Sequence, residues 1–416
     1  MRPPLSELSA VAVGRESTRT SRIDGEALPS ARVRPVRVAQ VVTSFSAGAG
    51  GITLRGALGL DPARYSTTIL GGEGGSFAAR AEEAGLPWIA LRHMSPARRV
   101  NPWLDAQGLK ELAAHLTAGE FDLVHTHSAK AGALGRMAAR RAGVPAIVHS
   151  FHGFPFHEFQ SPLVRAALLR IERRLARSTD YFLTDGTMVA AEAVRLKLAP
   201  PDRIRAIASP IDYDIVAVSD TSRRHARHLL GIPEDVRVVG TVARLDAQKA
   251  PLDLVEAIAG LRRPDVYTVW VGDGNLRAKT ERLIRRRGLE DRFLLPGTRS
   301  DVSQLLPGFD VFAMSSLYEG LPCAVVEAMT SGVPVVATAV NSVPEIVISG
   351  KTGLLARPGD PQSLGRALAH VLDHRDEAVR MAEAARIHVG DRFRPEVLSQ
   401  DLMEVYELAL RQAGRR

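Results

Sequence analysis

Two glutamates near the middle of the second half of the chain are spaced so that they could bind a phosphorylated sugar. Seven residues separate Glu319 from Glu327, and Pro322 lies between them. Glu319 follows an apolar run, and Glu327 falls in a helix that Pro322 is expected to begin. Ionised carboxylates accept hydrogen bonds from vicinal hydroxyls, and a helix N-terminus attracts phosphate. The stretch therefore predicts a nucleotide-sugar site; the alternative is two glutamates without a ligand.

A strand, a helix and a second strand must position these carboxylates. Residues 309–314 and 333–337 are short apolar runs typical of buried strands, and the helix between them is expected to end at Gly332. Such close succession predicts a βαβ unit with parallel strands. In open parallel sheets, ligands bind beyond the carboxyl ends of the strands. Glu319 is expected at such an end.

Histidines occupy comparable positions in the first half of the chain. His125 and His127 alternate along a predicted strand, so both side chains are expected on one face. Two histidines could bind zinc, but no Cys, Asp or Glu completes a set at ligand spacing, so no metal site is predicted. His127 is nearer the carboxyl end and is the better substrate candidate, whereas His125 is expected in the core. His152 ends the next apolar strand; the alternative for it is a buried structural histidine.

The composition bounds the class of protein. The chain has 416 residues, 45% of them apolar, and a formal charge of +8 carried mainly by arginine. That length favours two domains, and the mixed charge is typical of a globular protein. No apolar run reaches about 18 residues, so no membrane-spanning helix is expected. Cys323 is the sole cysteine and cannot form an internal disulfide, which favours the reducing cytoplasm.

The basic charge has three interpretations. Nucleic acid is disfavoured because no interleaving of aromatic and basic residues accompanies the charge; arginine usage of the genome and an anionic membrane surface remain. Residues 161–178 predict an amphipathic helix capped by Ser161, with five arginines opposite its apolar stripe. Such a helix could hold the chain on the inner face of the plasma membrane. The alternative is a core-packed helix with a solvated face.

A glycine-rich turn follows the first predicted strand, residues 36–42. Gly50 and Gly51 lie in this turn, where the backbone can approach a phosphate or sugar closely. The turn is not a clean G-x-G-x-x-G and no acidic residue follows at the right distance, so an NAD-dependent dehydrogenase is disfavoured. The alternative is a flexible surface turn. Residues 1–32 lack periodicity and are expected to form a disordered tail.

Several motifs together resemble one enzyme family. Residues 319–322 read EGLP, residues 334–338 read PVVAT, residues 122–132 read DLVHTHSAKAG, and residues 243–250 read ARLDAQKA. This set resembles the retaining glycosyltransferases of the glycogen-synthase and phosphatidylinositol-mannosyltransferase type (glycosyltransferase family 4), and the histidine motif resembles enzymes that build bacterial surface polysaccharides. The resemblance implies an α/β fold of the GT-B class, in which two Rossmann-like, doubly wound parallel-sheet domains face a cleft.

The resemblance also implies domain boundaries. Residues 33–210 correspond to an N-terminal Rossmann-like acceptor domain, which the C-terminal helix 396–414 joins. Residues 236–395 correspond to a nucleotide-sugar donor domain, and residues 211–235 to a hinge or linker. Asp212 and Asp214 form a D-x-D in that linker, which resembles the metal-binding motif of another glycosyltransferase class; we interpret it as a coincidence.

Roles follow from the resemblance position by position. Arg244, Lys249 and the helix beginning at Leu321, after Gly320, are expected to hold the diphosphate, and Ala243 and Ala250 stand where the family has glycine. The remaining expected roles are Glu327 on the ribose, Glu319 on the transferred sugar, His152 beside the reacting carbon, Thr298 and Arg299 near the base, and Gly50, Gly51 and His127 lining the cleft.

The resemblance finally implies a reaction. A sugar is expected to move from a nucleotide diphosphate sugar, UDP- or GDP-linked, to a glycan or lipid-linked acceptor, with retention of configuration and without a metal or cofactor. No enzyme nucleophile is evident, so front-face attack by the acceptor is expected. Two alternatives stay open: a nucleotide-sugar epimerase or hydrolase of the same architecture, and a non-catalytic nucleotide-sugar-binding protein.

Overall fold

The computed structural model describes residues 34–45, 48–72, 77–94, 101–156, 160–211 and 214–414. The expected tail, residues 1–32, and Asp212 of the D-x-D lie outside the described residues. The chain divides into two compact units. Unit 1 runs to Ile207 and resumes at Leu398, and unit 2 comprises Ala208–Val397.

Unit 1 is a parallel sheet of seven strands flanked by helices. Its strands are β1 Val36–Ser44, β2 Tyr65–Gly72, β3 Trp88–Leu91, β4 Leu123–His127, β5 Ala146–Phe151, β6 Tyr181–Thr184 and β7 Ile204–Ala206. Its helices are α1 Ala49–Leu58, α2 Ala78–Glu83, α3 Pro102–Ala118, α4 Ala129–Arg141, α5 Pro162–Ala176 and α6 Thr187–Arg195. The strand order is β3-β2-β1-β4-β5-β6-β7.

Unit 2 repeats the pattern with six parallel strands. They are β8 Arg237–Val242, β9 Val266–Val271, β10 Phe293–Gly297, β11 Val311–Met314, β12 Val335–Thr338 and β13 Leu354–Ala356, in the order β10-β9-β8-β11-β12-β13. Its helices are α7 Asp220–Leu230, α8 Pro251–Leu261, α9 Arg277–Arg286, α10 Val302–Leu305, α11 Cys323–Ser331, α12 Val343–Ile346, α13 Pro361–Asp373 and α14 Arg375–Val389. Two doubly wound parallel sheets confirm the predicted α/β fold class.

Each sheet reverses its strand order at one point. In unit 1, β1 pairs with β2 on one side and with β4 on the other. In unit 2, β8 pairs in the same way with β9 and β11. Crossover helices leave such a pair toward opposite faces of the sheet, which opens a crevice beyond the carboxyl ends of the two strands. The loops that follow β1 and β4, and those that follow β8 and β11, are therefore where each unit can hold a ligand.

The last helix, α15 Pro395–Ala413, packs on the sheet of unit 1. Its buried residues recur every three or four positions, which gives the helix one apolar face. They are Leu398, Ser399, Leu402, Val405, Tyr406 and Ala409. The partners of this face include Val38 of β1 and Val148 of β5, so the helix covers the centre of the sheet. Ser399 and Tyr406 are the residues of this face that carry a hydroxyl group.

The structure differs from the sequence expectations at two places near unit 2's elements. The stretch expected as a linker, 211–235, contains helix α7, which opens with a Ser219–Ser222 capping box and buries Arg227 against Asp310 at 2.8 Å. Its many charged residues concealed a helix that packs through one buried arginine. Pro322 is the N-cap of α11 rather than its first residue. Helix α11 ends at Gly332, as predicted, and this glycine has the left-handed conformation.

Candidate functional site

The loop after β8 carries Arg244 and Lys249. It runs so close to the chain after β9 that a Cβ on Gly272 would lie 2.1 Å from the Ala243 carbonyl oxygen, and one on Gly274 2.4 Å from that of Leu245. Only glycine permits this approach. Arg244 is exposed and pairs with Asp246 at 3.0 Å, whereas the Lys249 side chain is 18% exposed. The loop therefore presents two cations at the crevice of unit 2.

Glu319, in the loop after β11, faces Lys249. The Lys249 ammonium donates to Glu319 Oε1 at 2.5 Å, and the Gln248 amide donates to Oε2 at 3.2 Å. The Glu319 backbone N–H donates to the Asn341 side-chain oxygen at 2.9 Å. Glu319 itself is buried, with 7% of its surface exposed. The carboxylate expected to bind sugar hydroxyls and the cation expected to bind phosphate are thus brought together at the β8–β11 crevice.

Helix α11 begins immediately after this loop. Gly320 and Leu321 are buried, and no side chain caps the N-terminus of the helix. The backbone at such a helix end can bind an anion. Glu327 lies in the second turn, half-buried. The structure places the two glutamates of the sequence motif on either side of one helix start.

Thr298 and Arg299 lie apart from this group. They follow β10, the edge strand, which is two strands from β8 and so roughly 10 Å away across the sheet. Arg299 makes a bidentate pair with Asp301, at 2.8 and 2.5 Å. Its guanidinium is therefore engaged by its own loop.

In unit 1 the candidate histidines are brought together beyond the carboxyl ends of β4 and β5. His127 Nδ1 lies 3.0 Å from His152 Nε2, and the two rings are nearly parallel. His152 Nδ1 lies 2.9 Å from Asp185, which follows β6. Burial holds the pKa of His127 well below its ordinary value, and the charges of nearby His125 and His152 lower it further. His127 is therefore a neutral ring at pH 7.

His125 shares its face of β4 with His127, as predicted, with ring centroids 4.1 Å apart. It is fully buried, as predicted, and its nitrogens bond to Tyr406 at 2.8 Å and Ser150 at 2.7 Å. Burial lowers the pKa of His125 to about 3. Among the residues that the structure describes, no three His, Cys, Asp or Glu side chains are grouped so that they could hold a metal ion.

Gly50 and Gly51 occupy the first turn of α1 rather than a loop, which corrects their predicted setting. A Cβ on Gly50 would lie 3.0 Å from the Ser44 carbonyl oxygen, and one on Gly51 3.3 Å from the Arg55 guanidinium. The glycines let helix α1 start directly against the end of β1. Their role toward a ligand stays a prediction.

Sequence reasoning missed five residues that touch these side chains. They are Gln40, Asp185, Gln248, Asn341 and Tyr406. Asp185 and Asn341 follow β6 and β12, so the rule about carboxyl ends of strands could have found both. Gln40 is a polar residue inside an apolar strand, which is a further signal. Tyr406 lies 366 residues from its partner Gln40, and no local pattern indicates that contact.

Comparison with known proteins decides the family. The profile described as Glycosyl transferases group 1 matches residues 222–388, and the one described as Glycosyl transferase 4-like domain matches residues 47–210. The Escherichia coli UDP-Gal:alpha-D-GlcNAc-diphosphoundecaprenol alpha-1,3-galactosyltransferase is 32% identical over 66% of this chain and 73% of its own. This chain is a group 1 glycosyltransferase.

Other relatives of this glycosyltransferase agree. The D-inositol 3-phosphate glycosyltransferase of Streptomyces scabiei is 30% identical over 73% of this chain and 71% of its own. Among solved structures, Anabaena HepE in complex with UDP and glucose has a TM-score of 0.76 at 23% identity, covering 89% of this chain and 99% of its own. The sucrose-phosphate synthase of Thermosynechococcus elongatus has a TM-score of 0.78 at 19% identity, over 89% and 98%. These likenesses confirm the predicted fold.

The described part of this glycosyltransferase holds no helix with the length and apolarity that crossing a bilayer requires.

Proposed function

We propose that this glycosyltransferase moves a sugar from a nucleotide diphosphate sugar, UDP- or GDP-linked, to a lipid-linked or glycan acceptor, with retention of anomeric configuration and without a metal ion. The Lys249–Glu319 pair supports the proposal best. A carboxylate that accepts from sugar hydroxyls and a cation that neutralises a diphosphate stand in contact, at 2.5 Å, in the crevice where parallel sheets bind ligands.

Donor binding would redistribute the bonds of this pair. Lys249 has three N–H donors, so it can turn toward a phosphate oxygen while Gln248 still holds Glu319 at 3.2 Å. Glu319 Oε1, which no longer accepts from Lys249, can then accept from sugar hydroxyls. Lys249, Arg244 and the start of α11 together would stabilise the negative charge that grows on the departing diphosphate.

The reaction would proceed at one face of the sugar. The acceptor hydroxyl attacks the anomeric carbon from the side on which the diphosphate leaves, the carbon–oxygen bond to phosphate breaks, and the departing phosphate oxygen takes the hydroxyl proton. We assign His152, oriented by Asp185 at 2.9 Å, to the reacting sugar, and Glu327 to the ribose. The E. coli relative acts, by its name, on UDP-Gal and a GlcNAc-diphosphoundecaprenol, which favours a UDP donor and a diphosphate-linked lipid acceptor here.

Thermal-shift measurements with UDP-, GDP- and ADP-sugars test the donor assignment. At about one hundred times the dissociation constant, a donor adds about 2.7 kcal/mol to the free energy of unfolding. We expect one nucleotide class to raise the Tm, equally with and without chelator, and Lys249→Met to abolish the rise. Lys279→Met removes an exposed cation of α9 and serves as the control, with the rise retained. A rise that chelator removes would contradict metal independence.

Product analysis separates transfer from the two alternatives. With the donor found above and a GlcNAc-diphosphoprenol acceptor, NMR of the product gives the anomeric configuration, and we expect retention. Consumption of donor at the same rate without acceptor would instead indicate a hydrolase or epimerase. Binding without any consumption would indicate a non-catalytic protein.

Helix α5 provides a surface suited to an acceptor in an anionic bilayer. Leu163, Val164 and Ile171 are 84%, 50% and 49% exposed, and Arg165 and Arg170 beside them are exposed as well. The apolar stripe that the alternative interpretation assigned to the core thus faces outward over most of its length. Exposed apolar and basic side chains on one helix fit an anionic membrane surface.

The same helix is held to unit 1 from its other side. Glu172 is buried and accepts from Arg136 of α4 at 2.7 Å, and Arg173 donates to the Leu196 carbonyl at 2.9 Å. The helix can therefore present Leu163 and Ile171 outward without being free to swing away.

Vesicle binding tests this surface. We expect sedimentation with vesicles that contain phosphatidylglycerol and none with pure phosphatidylcholine. Arg165→Gln with Arg170→Gln should weaken binding by about 2 kcal/mol, since each basic residue near the surface contributes about 1 kcal/mol. Ile387→Gln, at a position 73% exposed on α14, is the control. Equal binding by the double variant and the wild-type chain would contradict the proposal.

A further inference from the structure

A continuous chain of hydrogen bonds connects the candidate histidine of unit 1 to the last helix of the protein. It starts at Asp185 and runs through His152, His127, Gln40 and Tyr406 to His125. Every donor–acceptor distance along it lies between 2.7 and 3.0 Å. All members except His152 are buried, and the His152 side chain is only 10% exposed. Because the chain is buried, an unpaired group in it would be costly, so the direction of one bond constrains the next.

The placement of Gln40 fixes the direction of these bonds. Its amide nitrogen donates to the Tyr406 hydroxyl at 2.8 Å, so its carbonyl oxygen faces His127 Nε2 at 2.7 Å. A carbonyl oxygen only accepts, so His127 Nε2 carries a proton. His127 is a neutral ring, because burial lowers its pKa well below the ordinary value, and so His127 Nδ1 carries none.

The next two hydrogen bonds then determine how many protons His152 carries. Because His127 Nδ1 can only accept, His152 Nε2 must donate across the 3.0 Å between them. Because the Asp185 carboxylate also accepts, His152 Nδ1 must donate to it, at 2.9 Å. His152 therefore carries a proton on both nitrogens and forms an ion pair with Asp185.

The opposite orientation of the Gln40 amide would reverse the count. The amide nitrogen would donate to His127 Nε2, His127 Nδ1 would donate to His152 Nε2, and His152 would keep one proton and no charge. In that arrangement Tyr406 would donate to the Gln40 carbonyl oxygen and every group would again be satisfied. The structure shows the first arrangement, with the amide nitrogen of Gln40 toward Tyr406. The hydroxyl of Tyr406 accepts there. This hydroxyl lies between Gln40 and His125 Nδ1, and it donates to that nitrogen when it accepts from Gln40. His125 Nε2 then donates to Ser150 at 2.7 Å, so each group is satisfied.

We propose that Gln40 and Tyr406 are positioning residues that, acting through His127, keep His152 doubly protonated and fix the plane of its ring. The inference deepens the proposed function, because it rests on His152 serving the reacting sugar. A cationic His152 there favours the departure of an anionic leaving group. It also gives helix α15 a part in the site that packing alone does not require.

Histidine-labelled protein tests the proton count without any substrate. Long-range ¹H–¹⁵N correlation spectra of the full chain distinguish protonated from bare ring nitrogens. In the wild-type chain we expect two protonated nitrogens on His152 and a proton on Nε2 of His127. In Gln40→Met, which keeps the volume and removes the acceptor, the His127 proton should move to Nδ1 and His152 should lose one. Gln40→Glu keeps an acceptor toward His127 and should retain the wild-type pattern.

Controls separate this role from a structural one. Tyr406→Phe should change the His127 pattern as Gln40→Met does. Tyr65→Phe, which removes the neighbouring hydroxyl that donates to the Met403 carbonyl, should leave it unchanged. Circular dichroism and the Tm identify any variant that fails to fold, and the proton count of His152 in the wild-type chain, which needs no variant, then carries the test. A single proton on wild-type His152, or a His127 pattern that Gln40→Met does not alter, would overturn the proposal.

Turnover provides the second readout. With the donor identified by thermal shift, Gln40→Met should lower kcat by about tenfold, the effect of one hydrogen bond to a charged group, with the donor KM within twofold. Gln40→Glu should restore most of kcat. A chain that binds no nucleotide sugar would defeat the proposed function and leave the NMR result standing. Intact turnover in Gln40→Met would defeat this inference alone.

Discussion

The candidate residues of unit 1 and of unit 2 lie at equivalent points of two similar sheets, yet their surroundings differ. In unit 1, His127 is buried, and its ring bonds to Gln40 and to His152, which in turn pairs with Asp185. In unit 2, Lys249 and Glu319 form a pair whose lysine is 18% exposed, beside the exposed Arg244. The candidate residues of unit 1 are thus buried or nearly so, whereas those of unit 2 include charged side chains that are exposed to a ligand.

This difference teaches what each kind of charge does. A buried ion pair contributes by satisfying two charges that water no longer reaches, so the loss of one partner destabilises the fold. A pair in which one partner is still partly exposed, as Lys249 is, can exchange hydrogen bonds with a ligand. The Arg136–Glu172 pair of unit 1 should therefore matter for stability, and the Lys249–Glu319 pair of unit 2 for binding and turnover.

The largest expected effect concerns Arg136 in unit 1. It is fully buried and donates to Glu172 at 2.7 Å. Arg136→Met leaves Glu172 charged and unpaired, which should cost about 3–5 kcal/mol of unfolding free energy. Urea unfolding measures this, and Arg195→Met, at an exposed pair with Glu192, is the control with a change below about 1 kcal/mol. Adding Glu172→Leu to Arg136→Met should recover most of the loss; no recovery would mean that the ion pair itself is not the cause.

The second effect concerns Lys249 in unit 2. Lys249→Met should reduce turnover by roughly 10²–10³, or about 2.7–4 kcal/mol, because it removes a cation from the growing charge of the leaving group. Its unfolding free energy should change little by comparison with Arg136→Met. Steady-state kinetics and urea unfolding of the same preparation check both statements. Equal losses of stability in the two variants would break the contrast between the units.

Acid should weaken unit 1 in particular. Burial lowers the pKa of His125 to about 3 and holds those of His127 and His149 well below the ordinary value. In the unfolded chain these rings bind protons below about pH 6.5, and in the native chain they do not, so stability falls as the pH falls below 6.5. At pH 6 the three together should cost roughly 2.5 kcal/mol.

Urea unfolding with hydrogen-exchange pulses at one fixed pH resolves the two units peptide by peptide. We expect unit 1 peptides to lose stability between pH 7.5 and 6, and unit 2 peptides to hold theirs, because every histidine described in unit 2 is at least partly exposed. Equal loss in both units would show that the buried histidines do not dominate the acid response.

The same contrast explains what the sequence could predict. Unit 2's site follows from local motifs. Glu319, Glu327 and the turn at Gly332 lie within one βαβ unit, and Lys249 lies six residues after Ala243, the first residue beyond β8. Local motifs could therefore indicate that Lys249 and Glu319, which the structure brings into contact, belong near one another. Unit 1's network joins β1, β4 and α15, and Gln40 and Tyr406, which are 366 positions apart, share no local pattern that signals their contact.

Strand order was equally out of reach. The apolar runs of β1 and β4 contain no signal that the two strands are neighbours in the sheet. In the chain, β1 is followed by β2, and β4 comes two strands later. Helix α7 was missed for a related reason, because its arginines are typical of a solvent-exposed segment. Two of them donate to Asp310, at 2.7 and 2.8 Å, and Asp310 lies more than 80 residues away in the sequence. Local sequence patterns do not reveal which distant residue a polar side chain will bond to.

The smallest effect concerns two left-handed residues in unit 2, Ala250 at φ 46° and Asn341 at φ 44°. Alanine in this conformation is strained by about 1 kcal/mol, so Ala250→Gly should raise the unfolding free energy by about 0.5–1 kcal/mol. Asparagine adopts this conformation more readily than alanine, so Asn341→Gly relieves less strain. It also removes the oxygen that accepts from the Glu319 N–H at 2.9 Å, so it should lower turnover without that gain in stability. Urea unfolding and kinetics of both variants decide the matter. If Asn341→Gly behaved like Ala250→Gly in both measurements, the Asn341 side chain would have no part in holding Glu319, and the charged site of unit 2 would depend on Lys249 and Gln248 alone.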